Sequence, residues 1–257
     1  MGGIKTVMLT KRLTASKITL LVLKIVFTAV STALVCIATM FFSVYVPATE
    51  GFFNIGESMV FLSALLFGPF VGAFAGGVGS MLADLLLGYP HYAPATLIVK
   101  ASEGFITGFL STHNPKLNKL SWRSLTSILG LLAGGILAAI GSTYYSGEIE
   151  LTLGEVSFML YVPTLFWLIL GFIVAFSIIL AGLLTEPEIG WMILSVIVGG
   201  FVMVLGYFIY EMYFIGWLFG IQAYAIAEVP VNIGQMIIGS IVAIPVAKVI
   251  QRIFHLK

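Results

Sequence analysis

The sequence contains little charge and almost no cysteine. Only 9% of the 257 residues are Asp, Glu, Lys or Arg, whereas soluble domains average about 25%. Cys36 is the single cysteine, which excludes an internal disulfide and any multi-cysteine metal site. The net charge of +1 and the lack of a basic patch with interleaved aromatics give no sign of nucleic-acid binding. Hydrophobic residues make up 60% of the chain, and this composition predicts a polytopic membrane protein.

Two common signatures of catalysis are missing as well. The nucleotide-binding pattern G-x-x-x-x-G-K-[ST] occurs nowhere in the chain, so we expect no ATP site of its own. The zinc-protease pattern H-E-x-x-H is also absent, and a hydrolase needs a nucleophile with a base or a metal with several ligands. His91 stands alone, because the orientation argued below places His113 and His255 on the other side of the membrane. We therefore expect neither an enzyme nor a bound metal or cofactor.

Long apolar segments separated by turn signals fill most of the chain. A helix needs about 20 residues to cross roughly 30 Å of hydrocarbon, and glycine–proline signals at 68–69 and 88–90 divide the apolar sequence. Gly72 and Gly76 continue a four-residue spacing from Gly68, which predicts close helix packing. We predict an all-α polytopic membrane bundle of about eight transmembrane helices. The expected spans are residues 18–46, 55–69, 72–88, 94–111, 125–145, 157–183, 190–214 and 228–250.

The basic residues lie at the ends of these segments and predict the orientation. With the N-terminus inside, the basic loop 112–124 and the C-terminal tail also lie inside. The acidic loop 146–156 then lies outside. We expect a multi-pass protein of the cell (plasma) membrane with cytoplasmic N- and C-termini. The cations that fall on the inner side are Lys5, Lys11, Arg12, Lys17, Lys24, Lys116, Lys119, Arg123, Lys248, Arg252 and Lys257, and the acids of the outer loop are Glu148, Glu150 and Glu155.

Lys100 is the only cation placed at membrane depth. An ionisable side chain there costs about 2.5–3.5 kcal/mol, so its default interpretation is functional. Glu103 lies three residues away and shares its helix face. Most other polar groups of the spans fall in the outer halves, which predicts a pocket that opens outward above an apolar seal. These groups are Glu57, Asp84, Glu211, Glu228, Asn232 and Gln235.

Several short motifs, taken together, resemble a known family. They are 53–57 (FNIGE), 65–69 (LLFGP), 84–89 (DLLLGY), 96–105 (TLIVKASEGF), 206–211 (GYFIYE) and 228–235 (EVPVNIGQ). This combination resembles the S components of energy-coupling factor (ECF) vitamin transporters, in the riboflavin-transporter-like group. The likeness covers the first four and the last two predicted spans.

The resemblance implies a substrate-specific, high-affinity binding subunit of an ECF-type ABC importer. Such a subunit takes a vitamin or related micronutrient from the outer face: a riboflavin-like compound, pyridoxine, thiamine or a pyrimidine precursor. It implies a membrane coupling subunit and two cytoplasmic ATPase subunits as partners, with docking on the coupling subunit at Ala29 and Ala33 of the first helix. The expected substrate-binding residues are Asn54, Glu57, Asp84, Tyr89, His91, Tyr92, Lys100, Glu103, Tyr210, Glu211, Glu228, Asn232 and Gln235.

Members of this group usually have six helices, so two of the expected spans are extra. We interpret residues 125–183 as a two-helix insertion within a single membrane domain, residues 1–257. The S-component-like core then comprises residues 18–124 and 190–252. An even number of inserted helices preserves the orientation of every segment that follows.

The sequence leaves structural alternatives open for the site residues. Lys100 and Glu103 also fit an ion pair that fixes the fourth helix, and Asn54 also fits a helix N-cap. The aromatic residues of 89–92 fit either stacking on a heterocycle or anchoring at the interface. The excess of acids favours a neutral or cationic ligand, but a lysine equally suits a phosphate or carboxylate.

A stand-alone secondary transporter of a small polar metabolite is the alternative function. The extra helices fit such a transporter, which predicts internal repeats and broken helices at the midplane. The two halves of the sequence show no convincing repeat, and the inner halves of the spans offer no polar path.

Overall fold

The computed structural model describes residues 2–46, 51–144, 146–153, 156–221 and 225–254. Glu155, His255 and Lys257, which entered the prediction of orientation, lie outside the described residues. The chain is an all-α polytopic membrane bundle with two small hairpins. Its elements are α1 (Gly2–Phe41), β1 (Ser43–Val46), β2 (Gly51–Asn54), α2 (Glu57–Phe67), α3 (Pro69–Leu87), α4 (Ala93–Thr112), α5 (Lys119–Tyr144), β3 (Gly147–Leu153), β4 (Val156–Val162), α6 (Thr164–Leu184), α7 (Pro187–Ile209), a π-helical turn (Tyr210–Phe214), α8 (Ile215–Phe219) and α9 (Ala225–Phe254).

Within the described ranges, six segments are long and apolar enough to cross a membrane by length and composition. Two of the eight predicted spans do not meet these criteria. The second, α2, has only 11 residues. The fourth, α4, has 20 residues but is less apolar, since it carries Lys100 and Glu103. The six are Leu21–Phe41, Pro69–Leu87, Lys119–Thr143, Thr164–Leu184, Pro187–Phe219 and Ala225–Phe254.

Two antiparallel hairpins correct the bounds of two predicted spans. β1 pairs with β2 from Ser43 opposite Asn54 to Val46 opposite Gly51, so the first helix ends before residue 46. β3 pairs with β4, so residues 157–162 form a strand rather than the start of the sixth span. Both hairpins contain β-branched and aromatic residues that favour strands. Short apolar runs of this kind cannot be told from helix by periodicity alone.

The helices form two compact units. The first, called the split unit here, consists of Met1–Asn114 together with Trp191–Lys257, and the second, the middle unit, is Pro115–Gly190. The middle unit contains all of the predicted insertion 125–183. That this segment is an insertion into a six-helix core stays a prediction.

Glycine allows the helices of the split unit to approach closely. A Cβ at Gly72 would lie 2.7 Å from the carbonyl oxygen of Gly104, and one at Gly76 would lie 2.8 Å from that of Lys100. A Cβ at Gly79 would lie 2.7 Å from the carbonyl oxygen of Thr32 on α1. The close packing predicted from the glycine spacing is confirmed, and it brings the backbone of α4 directly against α3.

The apolar core of the split unit lies where α2, α7 and α9 meet. Phe61 of α2, Val196 and Met203 of α7, and Ala243 of α9 are completely buried there. A Cβ at Gly239 of α9 would lie 2.5 Å from that of Glu57. This contact places the acidic first turn of α2 against α9.

The middle unit is a helical hairpin joined by β3 and β4. α5 and α6 cross where Gly134 and Gly171 touch through their backbones. Lys119 Nζ, at the start of α5, forms an ion pair 3.0 Å long with Oε1 of Glu186, which follows the end of α6. Most of the large apolar side chains described on α6 are exposed, as expected for surfaces that meet lipid.

Candidate functional site

Every buried charged side chain among the described residues lies at the same end of the split unit. The elements that meet at this end are the start of α2, the end of α3, the first half of α4, the π turn after α7 and the first half of α9. Helix-forming apolar sequence surrounds each polar position, so the polar groups are placed by the helices rather than by loops. The buried charged residues are Glu57, Asp84, Lys100, Glu103, Glu211 and Glu228.

A pocket lies among these residues. Its empty volume is about 360 Å³ including the part open to solvent, but only a small share of this space is wide enough to admit a water molecule. A ring-sized guest therefore requires the lining side chains to move apart. The pocket is lined by Gly51, Phe52, Asn54, Asp84, Tyr92, Thr96, Lys100, Tyr207, Glu211, Glu228, Asn232 and Gln235.

Lys100 is held by two glutamates. Its Nζ contacts Glu57 Oε1 from α2 and lies 3.3 Å from Glu103 Oε2 on its own helix. It also lies 5.7 Å from the centre of the Tyr207 ring, within the range of a cation–π interaction. The ion pair proposed as the structural alternative for Lys100 and Glu103 is present, with Glu57 as a third member. Because both carboxylates are buried with it, the ammonium is already compensated.

Asp84 lies at the end of α3, opposite the first half of α4. The hydroxyl of Tyr207 donates to Thr96 Oγ1 at 3.0 Å, and the Thr96 side chain hydrogen-bonds to Asp84. Asp84 Oδ2 is buried and has no hydrogen-bond partner in the described part of the chain. This chain of polar groups therefore ends in a carboxylate oxygen that is free to accept another hydrogen bond.

The π-helical turn Tyr210–Phe214 directs the side chain of Glu211 toward the same pocket. The turn widens the helix after α7, and Tyr210 and Glu211 are buried in it. The hydroxyl of Tyr92 donates to Glu211 Oε1 at 3.0 Å, and that of Tyr210 donates to the carbonyl of His91. Glu211 Oε2 is buried without a described hydrogen-bond partner. Single π turns inside helices are frequent at functional sites.

Amide side chains connect the β1–β2 hairpin to α9. Gln235 Oε1 accepts the backbone N–H of Asn54 at 3.1 Å, and Gln235 Nε2 donates to Asn232 Oδ1 at 2.9 Å. Asn54 Oδ1 accepts the N–H of Gly56 at 2.9 Å, which is a local turn contact. The N-cap of α2 is Gly56, so the sequence-based interpretation of Asn54 as the cap is wrong by two residues.

Aromatic rings surround the mouth of the pocket. Tyr89 packs on Phe52 with ring centres 4.7 Å apart, and the rings of His91 and Tyr92 are 5.0 Å apart. Burial raises the pKa of the Tyr89 phenol, and the neighbouring Tyr45 and Asp84 raise it further. The Tyr89 ring therefore stays neutral and offers a face and an O–H donor.

The structure brings most of the predicted site residues together, although nothing in it tests whether they bind a ligand. Residues predicted for the site that line the pocket are Asn54, Asp84, Tyr92, Lys100, Glu211, Glu228, Asn232 and Gln235. Five predicted residues lie behind this lining: Glu57, Tyr89, His91, Glu103 and Tyr210. The two glutamates contact the lining through their ion pairs with Lys100, and the three aromatic residues contact it through the rings of Phe52 and Tyr92.

Four residues of the lining were missed by sequence reasoning. They are Gly51, Phe52, Thr96 and Tyr207. Thr96 and Tyr207 belong to the family motifs, so the motif could have identified them as site residues although they carry no charge. Phe52 precedes a motif, and only the pairing of β1 with β2 shows that it is buried.

The described residues contain no group of three or more His, Cys, Asp or Glu side chains that could hold a metal ion. Elsewhere, Ala29 and Ala33 lie on the exposed side of α1, whereas Ser31 and Val35 are buried. The small-residue strip of α1, formed by Ala29 and Ala33, is therefore exposed and can be contacted by the surface of another protein.

Comparisons with known proteins give three findings. The model of the family described as ECF-type riboflavin transporter, S component, matches residues 19–149. A Pyrococcus woesei protein, described as an uncharacterized protein in a gap 3′ region, is 42% identical over 107 residues, or 42% of this chain and 67% of that protein. The thiamine precursor transporter HmpT of Lactococcus lactis subsp. cremoris (strain MG1363) is 25% identical over 126 residues, or 49% of this chain and 71% of that protein. The family match includes α5, which the sequence analysis assigned to the insertion.

Proposed function

The chain belongs to the family of ECF-type riboflavin transporter S components, and we propose that it is the high-affinity binding subunit of an ECF-type importer that captures a vitamin or related micronutrient from the outer face. As a transporter S component, it is a multi-pass membrane protein for a vitamin-type substrate and is not an enzyme. The observation that carries the proposal is that the buried charged side chains lie at one end of the split unit. All buried charged side chains of the described chain meet around one pocket, as expected for a site that opens to one side only.

A binding titration tests this function. The full chain, purified in detergent, is titrated with riboflavin, thiamine, pyridoxine and the pyrimidine precursor of thiamine, and compounds that co-purify are identified by mass spectrometry. We expect saturable binding of at least one vitamin-type compound. If none binds at high micromolar concentration and nothing co-purifies, the proposed function is wrong.

The proposal includes a coupling subunit and two cytoplasmic ATPases as partners, with docking through Ala29 and Ala33. Both alanines are exposed on α1, and small residues let another helix approach closely in lipid. Ala33→Trp is expected to abolish co-purification with the coupling subunit while leaving vitamin binding unchanged. The control is Ile241→Trp, at a residue 67% exposed on α9. Equal loss of co-purification in both variants would show that a bulky side chain on any exposed helix is enough to disrupt the complex.

The proposal also places both termini in the cytoplasm and the protein in the cell membrane. In a Cys36→Ala background, Lys116→Cys is expected to react with a membrane-impermeant maleimide only after the cells are opened. Gly220→Cys is expected to react in intact cells. The reverse pattern would invert the orientation and place the pocket on the cytoplasmic side.

A further inference from the structure

We propose that the pocket selects a flat organic cation, an aromatic heterocycle with a fixed or protonated positive charge, over a neutral ring of the same shape. The inference rests on the proposed function, because it names the substrate class of the same site. It goes further than the family description, since riboflavin is a neutral molecule.

The first argument is the balance of charge around the pocket. Asp84, Glu211 and Glu228 line it from three different elements. Lys100, the only cation among the described residues of the lining, contacts two further carboxylates, Glu57 and Glu103. An anionic ligand would compete with those carboxylates for the ammonium and face the three acids as well. A cation meets Asp84 and Glu211, neither of which forms an ion pair with a described basic side chain.

The second argument is the presence of buried acceptors without donors. Asp84 and Glu211 are each 4% exposed, and both line the pocket. Asp84 Oδ2 and Glu211 Oε2 have no hydrogen-bond partner in the part of the chain that the structure describes. A bound cation favours the ionised form of both carboxylates, which only accepts hydrogen bonds and is costly to leave unsatisfied. A ligand with N–H donors or a positive charge satisfies both oxygens, whereas a ligand that only accepts satisfies neither.

The third argument is the aromatic part of the lining. Phe52, Tyr92 and Tyr207 contribute rings to the pocket, and ring faces attract cations, most strongly where water is excluded. Tyr207 already lies under the Lys100 ammonium at 5.7 Å, so the site accommodates a cation beside a ring. Aromatic faces next to carboxylates favour a flat, charged ring over a compact cation such as a simple ammonium ion.

An inorganic cation fits less well than an organic one. Within the described residues no three His, Cys, Asp or Glu side chains are grouped as metal ligands. Asp84, Glu211 and Glu228 approach the pocket from three separate elements.

The test uses two compounds that differ in charge but hardly in shape. Pyridoxamine carries an ammonium group where pyridoxine carries a hydroxyl, and thiamine and riboflavin extend the series with a permanent cation and a neutral ring. Each is titrated by calorimetry against the full chain in lipid nanodiscs. We expect each cation to bind about tenfold to hundredfold more tightly than its neutral counterpart, the effect of one hydrogen bond between charged groups.

The outcomes separate this inference from the proposed function. Neutral compounds that bind as tightly as the cations, or more tightly, overturn the inference and leave the binding subunit intact. Failure of all four compounds to bind overturns the inference, and it overturns the proposed function as well only if the pyrimidine precursor of thiamine also fails to bind and nothing co-purifies.

Isosteric variants check that the acids are responsible. Asp84→Asn and Glu211→Gln are expected to lower the ratio of cation to neutral affinity about tenfold. Because both ligands are measured on one preparation, a partly unfolded sample does not change the ratio. The control Glu186→Gln, in the middle unit, should leave the ratio unaltered. An unchanged ratio in both pocket variants would overturn the inference.

Discussion

The two compact units place their charged groups differently. In the split unit, six charged side chains are buried around one pocket. In the middle unit, the ion pair between Lys119 and Glu186 joins side chains that are 68% and 61% exposed, and every charged side chain described there is exposed. Burying charge is costly in any protein and more so in a membrane. The split unit therefore retains its charges at an energetic cost that a purely structural role does not require, and we infer that it carries the binding chemistry.

The largest expected effect comes from removing the buried ammonium. Lys100→Met leaves Glu57 and Glu103 uncompensated, which costs about 3–5 kcal/mol of unfolding free energy. A large fall in the thermal unfolding midpoint in detergent is the expected result. Lys119→Met, the equivalent change in the middle unit, is expected to cost about 0–1 kcal/mol.

A triple variant separates charge from packing in this experiment. Glu57→Gln with Lys100→Met and Glu103→Gln removes the unpaired charges and should recover most of the loss in stability. If Lys100→Met unfolds at the same temperature as the unmodified chain, the ion-pair account of this cluster is wrong.

The next largest effect is expected from a matched pair of glycine substitutions. A Cβ at Gly104 would overlap the carbonyl of Gly72, and one at Gly134 would overlap that of Gly171. Overpacking of this kind costs about 1–3 kcal/mol, so both Gly104→Ala and Gly134→Ala should lower the unfolding midpoint. Only Gly104→Ala should also weaken vitamin binding, because α3 and α4 together position Asp84 and Lys100. Equal loss of binding in both variants would mean that the middle unit takes part in the site.

A smaller effect is expected from the amide link between α9 and the hairpin. Gln235→Leu removes the acceptor for the Asn54 N–H, and an unsatisfied buried donor costs about 1–3 kcal/mol. Weaker vitamin binding is expected in a titration, whereas Gln235→Glu keeps the acceptor and should retain more affinity. If Gln235→Leu binds as tightly as the unmodified chain, the hairpin does not contribute to the pocket.

The smallest effect on binding is expected from removing the middle unit. Trp191 Nε1 donates to the Leu110 carbonyl at 2.7 Å, so a short flexible linker spans the ends of the split unit. A chain with residues 115–190 replaced by glycine and serine should keep its vitamin affinity if the segment is an insertion. The measurement is the same titration, and loss of affinity in a folded sample would show that α5 belongs to the core, as the extent of the family match allows.

The sequence predicted the broad outline because charge at membrane depth is rare. Lys100, Glu103 and Asp84 stand out against an apolar background. Glycine spacing predicted that another helix packs closely on α3, but it did not identify α4 as that helix. The π turn at Glu211 and the two hairpins were not predicted, since short apolar runs have no period that separates strand or π turn from helix. Sequence spacing also placed Glu57 near the site but did not show that it pairs with Lys100, which lies on another helix.

The sequence by itself determined that the chain is an apolar helical bundle, that its buried charges are few, and that they fall near one set of helix ends. These follow from composition and from the length of the apolar segments. Only the tertiary structure decided which charges pair and which remain available to a ligand. Lys100 is compensated by Glu57 and Glu103, whereas Asp84 and Glu211 each keep a buried oxygen without a described partner. The physical reason is that pairing requires contact between helices distant in sequence, and that contact depends on the glycine surfaces where their backbones meet.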